Sequence, residues 1–262
     1  MNQNPVQTVL RSKIPQITLG FWVMKICATT LGETAGDLLS MTLHVGYAVS
    51  SMILIGLFAL AFAIQLIAKT YYPLLYWLVI LATSTAGTTL SDYMDRTLGL
   101  GYAEGSLILL SALAAILSYW RLSVGSLSVQ SIASRKVELL YWFAVLFSNT
   151  LGTALGDFLA DDSGLGFMGG ALLVAGALAL VTLLAFGTRI SRVILFWAAF
   201  VLTRPFGATF GDVLTKGNEK GGLGFGTIGS SLVLASILGC MIACTSIKER
   251  KTRPESPLDS AV

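Results

Sequence analysis

YWFAVLFSNTLGTALGD (141–157) has three relatives in the same chain: FWVMKICATTLGETAGD (21–37), YWLVILATSTAGTTLSD (76–92) and FWAAFVLTRPFGATFGD (196–212). The four segments align without gaps. In each, a Trp follows an aromatic residue, a Gly comes ten residues after the Trp, and a small residue then an Asp close the pattern. The Trp column is Trp22, Trp77, Trp142 and Trp197, and the Asp column is Asp37, Asp92, Asp157 and Asp212. The small pairs are Gly32 and Gly36, Gly87 and Ser91, Gly152 and Gly156, and Gly207 and Gly211. Each Asp is followed by an echo: VGYAVSS, LGYAEGS, LGFMGGA and LGFGTIGSS. Agreement of this kind within one chain is the signature of a repeat architecture.

The composition says where such a repeat lives. Of 262 residues, 55% are hydrophobic and 12% charged, against about 25% charged in an ordinary soluble domain. Apolar stretches near 20 residues recur, the length that crosses about 30 Å of hydrocarbon. The expected fold is an all-α integral membrane protein of eight transmembrane helices, near 18–40, 46–68, 73–95, 102–120, 137–160, 168–187, 191–214 and 226–247. Each repeat supplies two of them. The first span follows a polar segment, 1–17, and is too long for a signal-peptide core. Repeat starts lie 55 residues apart within each half and 65 apart across the middle, the excess falling in the polar stretch 121–136. This predicts two four-helix halves, 18–120 and 137–247, a linker over 121–136 and a disordered polar tail over 248–262. Cys27, Cys240 and Cys244 sit in apolar sequence and form no disulfide framework.

The four-copy Trp/Gly/Asp pattern resembles bacterial multi-pass membrane proteins built from a two-helix repeat of unknown function, over about residues 18–247. The resemblance implies an architecture and no activity, so the chemistry rests on the residues.

Basic residues cluster before the first helix, in the connections holding Lys69, Arg121, Arg135, Lys136, Arg189 and Arg192, and in the tail. The opposite side holds Arg96, Lys216 and Lys220 alone. The positive-inside rule then puts both termini in the cytoplasm of a bacterial cell, the protein lying in the inner membrane. The four Asp-bearing helix ends face outward. Because each repeat has an even number of spans, the repeats point the same way and their pseudo-symmetry axis runs along the membrane normal.

On a helix, each Gly and the small residue four later form one stripe, which lets two backbones approach closely. Thr29, Ser84, Asn149 and Arg204 extend that stripe. The Trp column lies toward the inner interface, where an anchor ring is the expected role. A carboxylate at a helix C-terminus opposes the helix dipole, and four in register point to a ring that selects cations. A helix end near water, bonded to the following Gly-rich turn, is the plainer alternative. Glu33, one turn before Asp37, belongs to the first repeat alone, where the others have Thr88, Thr153 and Ala208. Lys25 and Arg204, each also unique to its repeat, need anionic partners, with Glu33 and Asp37 the obvious ones. Such a pair either fixes packing or gates the path. His44, seven residues after Asp37, is an interfacial residue or a third metal ligand beside Glu33 and Asp37, a set suited to a divalent ion such as Mn²⁺.

The chain has no His-Glu-x-x-His, no Walker loop and a single His, so no enzyme is expected. No cofactor and no nucleic-acid partner is expected either; the partners are the lipid bilayer and a cation. The leading expectation is a transporter or channel-like permease for a cation, bound at Glu33, Asp37, Asp92, Asp157 and Asp212, with Lys25 and Arg204 as gating or ion-pair residues. The alternative is a membrane sensor or partner subunit in which the motifs only pack helices.

Overall fold

The computed structural model describes residues 13–129, 132 and 134–252. Among them are eight long helices: α1 Leu19–Asp37, α2 Tyr47–Ile67, α3 Pro73–Asp92, α4 Tyr102–Val124, α5 Arg135–Asp157, α6 Gly166–Gly187, α7 Arg192–Thr215 and α8 Gly226–Thr252. Their starts follow ordinary rules. The Thr18 hydroxyl accepts from the Phe21 amide and that of Ser134 from the Val137 amide, while Pro73 opens α3 where its missing N–H costs nothing. Helices α1, α3 and α5 each run on, past the Asp, into a five-residue π-helical turn: Leu38–Thr42, Tyr93–Thr97 and Phe158–Asp162. The fourth repeat has none. Its chain turns extended at Lys216 and makes a short 3₁₀ turn, Asn218–Lys220. Helices α4 and α8 outlast their expected ends by several residues, and α7 runs through Pro205 as one helix. Most of the expected tail and the first twelve residues lie outside the described residues.

The odd helices α1, α3, α5 and α7 pack side by side and close into a ring, α7 returning to α1. The even helices sit outside it. Each leans on the inner helix that follows: α2 on α3, α4 on α5, α6 on α7, and α8 on α1. α3 meets α5 across the linker as it meets α1.

The contacts explain the small-residue stripe. Gly32 abuts Ser84, Gly87 abuts Asn149, Gly152 abuts Arg204 and Gly207 abuts Thr29. The glycine of each repeat therefore receives the polar column of the next, a head-to-tail contact that closes after four steps. The approach is close: a Cβ on Gly87 would lie 3.0 Å from the Asn149 and Thr150 backbone. The second small column repeats the rule, Gly36 meeting Thr88, Gly156 meeting Ala208 and Gly211 meeting Glu33.

Burial follows from this layout. Every fourth residue of α1 from Phe21 to Asp37 is buried, and the same stripe runs down the other inner helices, with Phe196 only half-buried. The outer helices instead expose Met52, Leu57, Leu107, Leu110, Leu172, Leu183, Leu232 and Val233. Among the described residues, seven helices are long and apolar enough to cross a membrane; the exception among the eight is α1, which carries Lys25, Glu33 and Asp37.

At the end opposite the Asp column the core is aromatic. Phe21 packs on Trp77 at 5.7 Å, Tyr76 on Trp142 at 5.5 Å, Tyr141 on Trp197 at 6.4 Å and Phe196 on Trp22 at 5.8 Å between ring centres. This is a second closed cycle. It corrects the anchor-ring expectation: Trp77, Trp142 and Trp197 are buried and Trp22 half-buried. The reason is the neighbouring inner helix, whose aromatic residue covers each indole, helped from outside the ring by Phe62 on Trp142 and Trp120 on Trp197. Residues 13–17 and the described residues of the linker lie against this layer. Ile14, Val129 and Ile132 are buried there, Lys13 pairs with Glu138 at 2.7 Å, and the Trp197 indole donates to the Leu127 carbonyl.

Candidate functional site

The inner helices place three polar layers inside the ring above a fourth in which Lys25 stands among apolar residues, one helical turn apart, about 6 Å per step.

The outermost is the Asp layer. Asp37, Asp92 and Asp157 end their α-helices, Asp212 lies in the last turn of α7, and all four are buried. A carboxylate taken out of water needs a partner, and two basic residues supply it in alternate repeats. Arg96 reaches back four residues to Asp92 at 2.9 Å and across to Asp157 at 3.3 Å. Lys216 does the same for Asp212 at 3.2 Å and Asp37 at 2.8 Å. Both look like loop charges in the sequence. Their spacing from Asp92 and Asp212, one turn along, was the available signal. Their surroundings differ. Arg96 sits over the rings of Tyr47 and Tyr102, at 6.0 and 5.5 Å. Lys216 has the Met41 sulfur beside it at 3.8 Å. Both basic residues line a cavity of about 420 Å³ with Met41, Asp161, Phe167 and Asp212. Burial alone would lower the pKa of the Lys216 ammonium; Asp212 and Asp37 outweigh it and hold it above the usual lysine range.

One turn inward, Glu33, Thr88 and Thr153 meet around Arg204. The guanidinium is fully buried. Its Nη1 donates to Glu33 Oε2 at 2.9 Å, and its Nη2 donates to the Thr88 and Thr153 hydroxyls at 2.6 Å each. Both hydroxyls donate in turn to Glu33 Oε2, at 3.2 and 3.4 Å. Arg204 comes from the polar column one turn deeper and rises into the space that Ala208 leaves on its own helix.

In the next layer Asn149 is held by donating to Thr83 at 2.8 Å, and its Oδ1 accepts from Lys25 at 3.3 Å. Lys25 itself belongs to the layer below, with Ile80, Val145 and Phe200, all fully buried. Its ammonium lies 4.1 Å from the centre of the Phe200 ring. This corrects the expectation of a carboxylate partner for Lys25. Glu33 is two turns away and already taken by Arg204, so an amide oxygen and a ring face are what Lys25 meets.

Most other buried hydroxyls satisfy themselves. Thr29, Thr30 and Thr209 donate to the carbonyl one turn back, a common way to carry a hydroxyl in an apolar helix.

The metal-ligand set also needs correcting. Ligand oxygens of Glu33, Asp37 and Asp212 lie within 4.8 Å of one another. His44 is not among them; it is exposed on the turn after α1, with φ 55°. The ring closure brings Asp212 of the last repeat to Glu33 and Asp37 of the first, whereas His44 lies beyond the π-helical turn. Three carboxylates with hard oxygen donors can hold a divalent cation.

A family model described as Repeat of Unknown Function (DUF347) matches the chain four times, over residues 20–71, 75–126, 140–191 and 195–251. No curated protein and no solved structure matches.

Proposed function

From a chain that belongs to the Repeat of Unknown Function (DUF347) family, we propose a multi-pass membrane permease for a cation. All eight helices cross the bilayer, as four two-helix repeats pseudo-symmetric about the membrane normal. α1 is carried inside the ring, where its charges meet side chains instead of lipid. The exposed apolar faces of the outer helices support this reading, since lipid is the solvent that suits them. The basic connections at the aromatic end support a cytoplasmic position for that end and for both termini, in a bacterial inner membrane.

The observation that carries the permease reading is the convergence of Glu33, Asp37 and Asp212 beneath the cavity at the opposite end. A cation entering from outside meets Asp161 and the Asp layer first. A divalent ion such as Mn²⁺ finds three carboxylates there. Further passage is blocked by the Arg204–Glu33 pair and by the aromatic layer, so this arrangement is the closed one. Transport requires Arg204 to give up Glu33, and the aromatic cycle to part. The protein acts without enzymatic chemistry.

The same filled axis favours a second reading, a sensor or partner subunit whose polar layers only fix the helices. Flux separates the two. Wild-type protein in proteoliposomes loaded with a Mn²⁺-quenched dye should pass Mn²⁺. The triple variant E33Q/D37N/D212N should not, while eluting from gel filtration as the wild type does. A wild type that passes no cation, or a folded triple variant that passes it unchanged, overturns the permease.

A further inference from the structure

The two basic residues of the Asp layer are not equivalent, and their difference names the one that moves. Arg96 is held on both sides, by Asp92 and Asp157 and by the rings of Tyr47 and Tyr102. It also sits within a π-helical turn. Lys216 stands on extended backbone just past α7, at φ −72° and ψ 152°. Like Arg96 it lines the cavity, but its two carboxylate partners, Asp37 and Asp212, are the ones that gather with Glu33. Its hydrogen bonds go to Asp37 Oδ2 at 2.8 Å and the Met41 sulfur at 3.8 Å. Asp212 Oδ1, on a side chain 6% exposed, lies 3.2 Å from the ammonium yet has no hydrogen-bond partner. That oxygen is a buried carboxylate acceptor whose partner is the Lys216 ammonium, ion-paired at 3.2 Å without an aligned hydrogen bond.

We propose that Lys216 is a tethered surrogate ligand: its ammonium occupies the Glu33–Asp37–Asp212 cluster and is displaced into the cavity when a divalent cation binds. This rests on reading the carboxylate ring as a cation site, and it adds the charge class and the residue that yields. Formal charge decides for a divalent ion. The three carboxylates carry three negative charges and Arg204 balances one. With Lys216 gone two remain, which one divalent ion neutralises and a monovalent ion does not. The cavity beside Lys216 gives the released side chain a place in water, which Arg204, wholly buried, lacks.

The test uses wild-type protein in nanodiscs, with Mn²⁺ as the probe. Lysine acetylation by a water-soluble ester is followed by mass spectrometry, with exposed Lys69 as the internal reference. Mn²⁺ should accelerate acetylation of Lys216 severalfold and leave Lys69 unchanged. In parallel, K216M should bind Mn²⁺ about tenfold or more tightly than wild type, because apparent affinity scales with the fraction of sites not occupied by the competitor. K216R, which keeps charge and tether, should bind weakly. K220M, which removes a charge from the same loop, should bind as wild type does. Saturable Mn²⁺ binding with Lys216 acetylation unchanged overturns the proposal. So does a folded K216M that binds Mn²⁺ no better than wild type. Flux remains a separate readout. Transport without Lys216 release removes this inference and keeps the permease; Lys216 release without transport keeps the site and removes the permease.

Discussion

Arg204 is where one amino-acid difference between repeats has the largest physical consequence. Its column offers Thr29 and Ser84 in the first two repeats and Asn149 in the third; in the fourth a full charge enters the centre of the ring, fully buried. Glu33 Oε2 and the hydroxyls of Thr88 and Thr153 meet three of its hydrogen-bonding needs, and Nε has no partner. Breaking a buried ion pair by removing one member costs about 3–5 kcal/mol, whereas replacing both members is often near neutral. R204M should therefore destabilise the detergent-solubilised protein by about that amount, and R204M/E33Q should recover most of the loss. Equal losses in the single and double variants, measured by denaturant unfolding, would show that Arg204 is held by packing and not by its charge partner. The Arg204–Glu33 contact was legible because both residues depart from otherwise uncharged columns. The surroundings of Lys25 were not. A buried ammonium suggests a carboxylate, and nothing local says that the ring closes so that Phe200, at the same level of another repeat, presents its face instead. The bridging by Arg96 and Lys216 was half legible: the four-residue spacing to Asp92 and Asp212 was present, but the cross-helix half of each bridge exists only once the ring is built.

At the scale of the helix, the glycine stripe sets how near two inner helices come, and the test lies in comparing glycines that differ only in surroundings. Gly87 meets the Asn149 and Thr150 backbone, so an added methyl cannot be absorbed by a side-chain rotation. Gly176, midway along the outer helix α6, has nothing within 4 Å of where a Cβ would stand. G87A should cost about 1–3 kcal/mol through overpacking. G176A should be neutral or stabilising by up to about 1 kcal/mol, through helix propensity. Thermal unfolding of the two variants in the same detergent measures the difference, and similar destabilisation by both would deny the seam its special closeness. The seam was readable from spacing, but its polarity was not. Gly32 and Thr29 share a face, and the sequence leaves open whether like columns meet or each meets the other's. The π-helical turns had no readable signal. No position of Leu38–Thr42, Tyr93–Thr97 and Phe158–Asp162 carries the same residue in all three, and the fourth repeat, with extra residues before its outer helix, does without one.

For the whole molecule, the cyclic order of contacts decides which pieces can exist alone. Every inner-ring contact is head to tail, and the ring needs four repeats to close. A chain divided within the linker gives two fragments, α1–α4 and α5–α8, each presenting one open glycine edge and one open polar edge. Shape alone would let either fragment pair with itself. Charge forbids it. The pairs Arg204–Glu33, Lys216–Asp37 and Arg96–Asp157 all join a residue of the first fragment to one of the second. Two copies of the first fragment would bury two Glu33 carboxylates with no Arg204, and two copies of the second would bury two Arg204 guanidiniums with no Glu33. Like-charge juxtaposition of this kind costs several kcal/mol and selects the mixed pair. Co-expressed fragments carrying different tags should thus co-purify in equal amounts. Either fragment expressed alone should be recovered poorly or aggregated, and R204M in the second fragment should weaken capture of the first. The outer helices add to the preference, since α8 lies against α1, with Ser231 bonded to Thr34 at 2.9 Å and the Cys27 thiol to the Leu234 carbonyl at 3.4 Å. Recovery of a stable homodimer of either fragment would mean that the glycine and polar edges, and not the buried charges, decide which repeats meet.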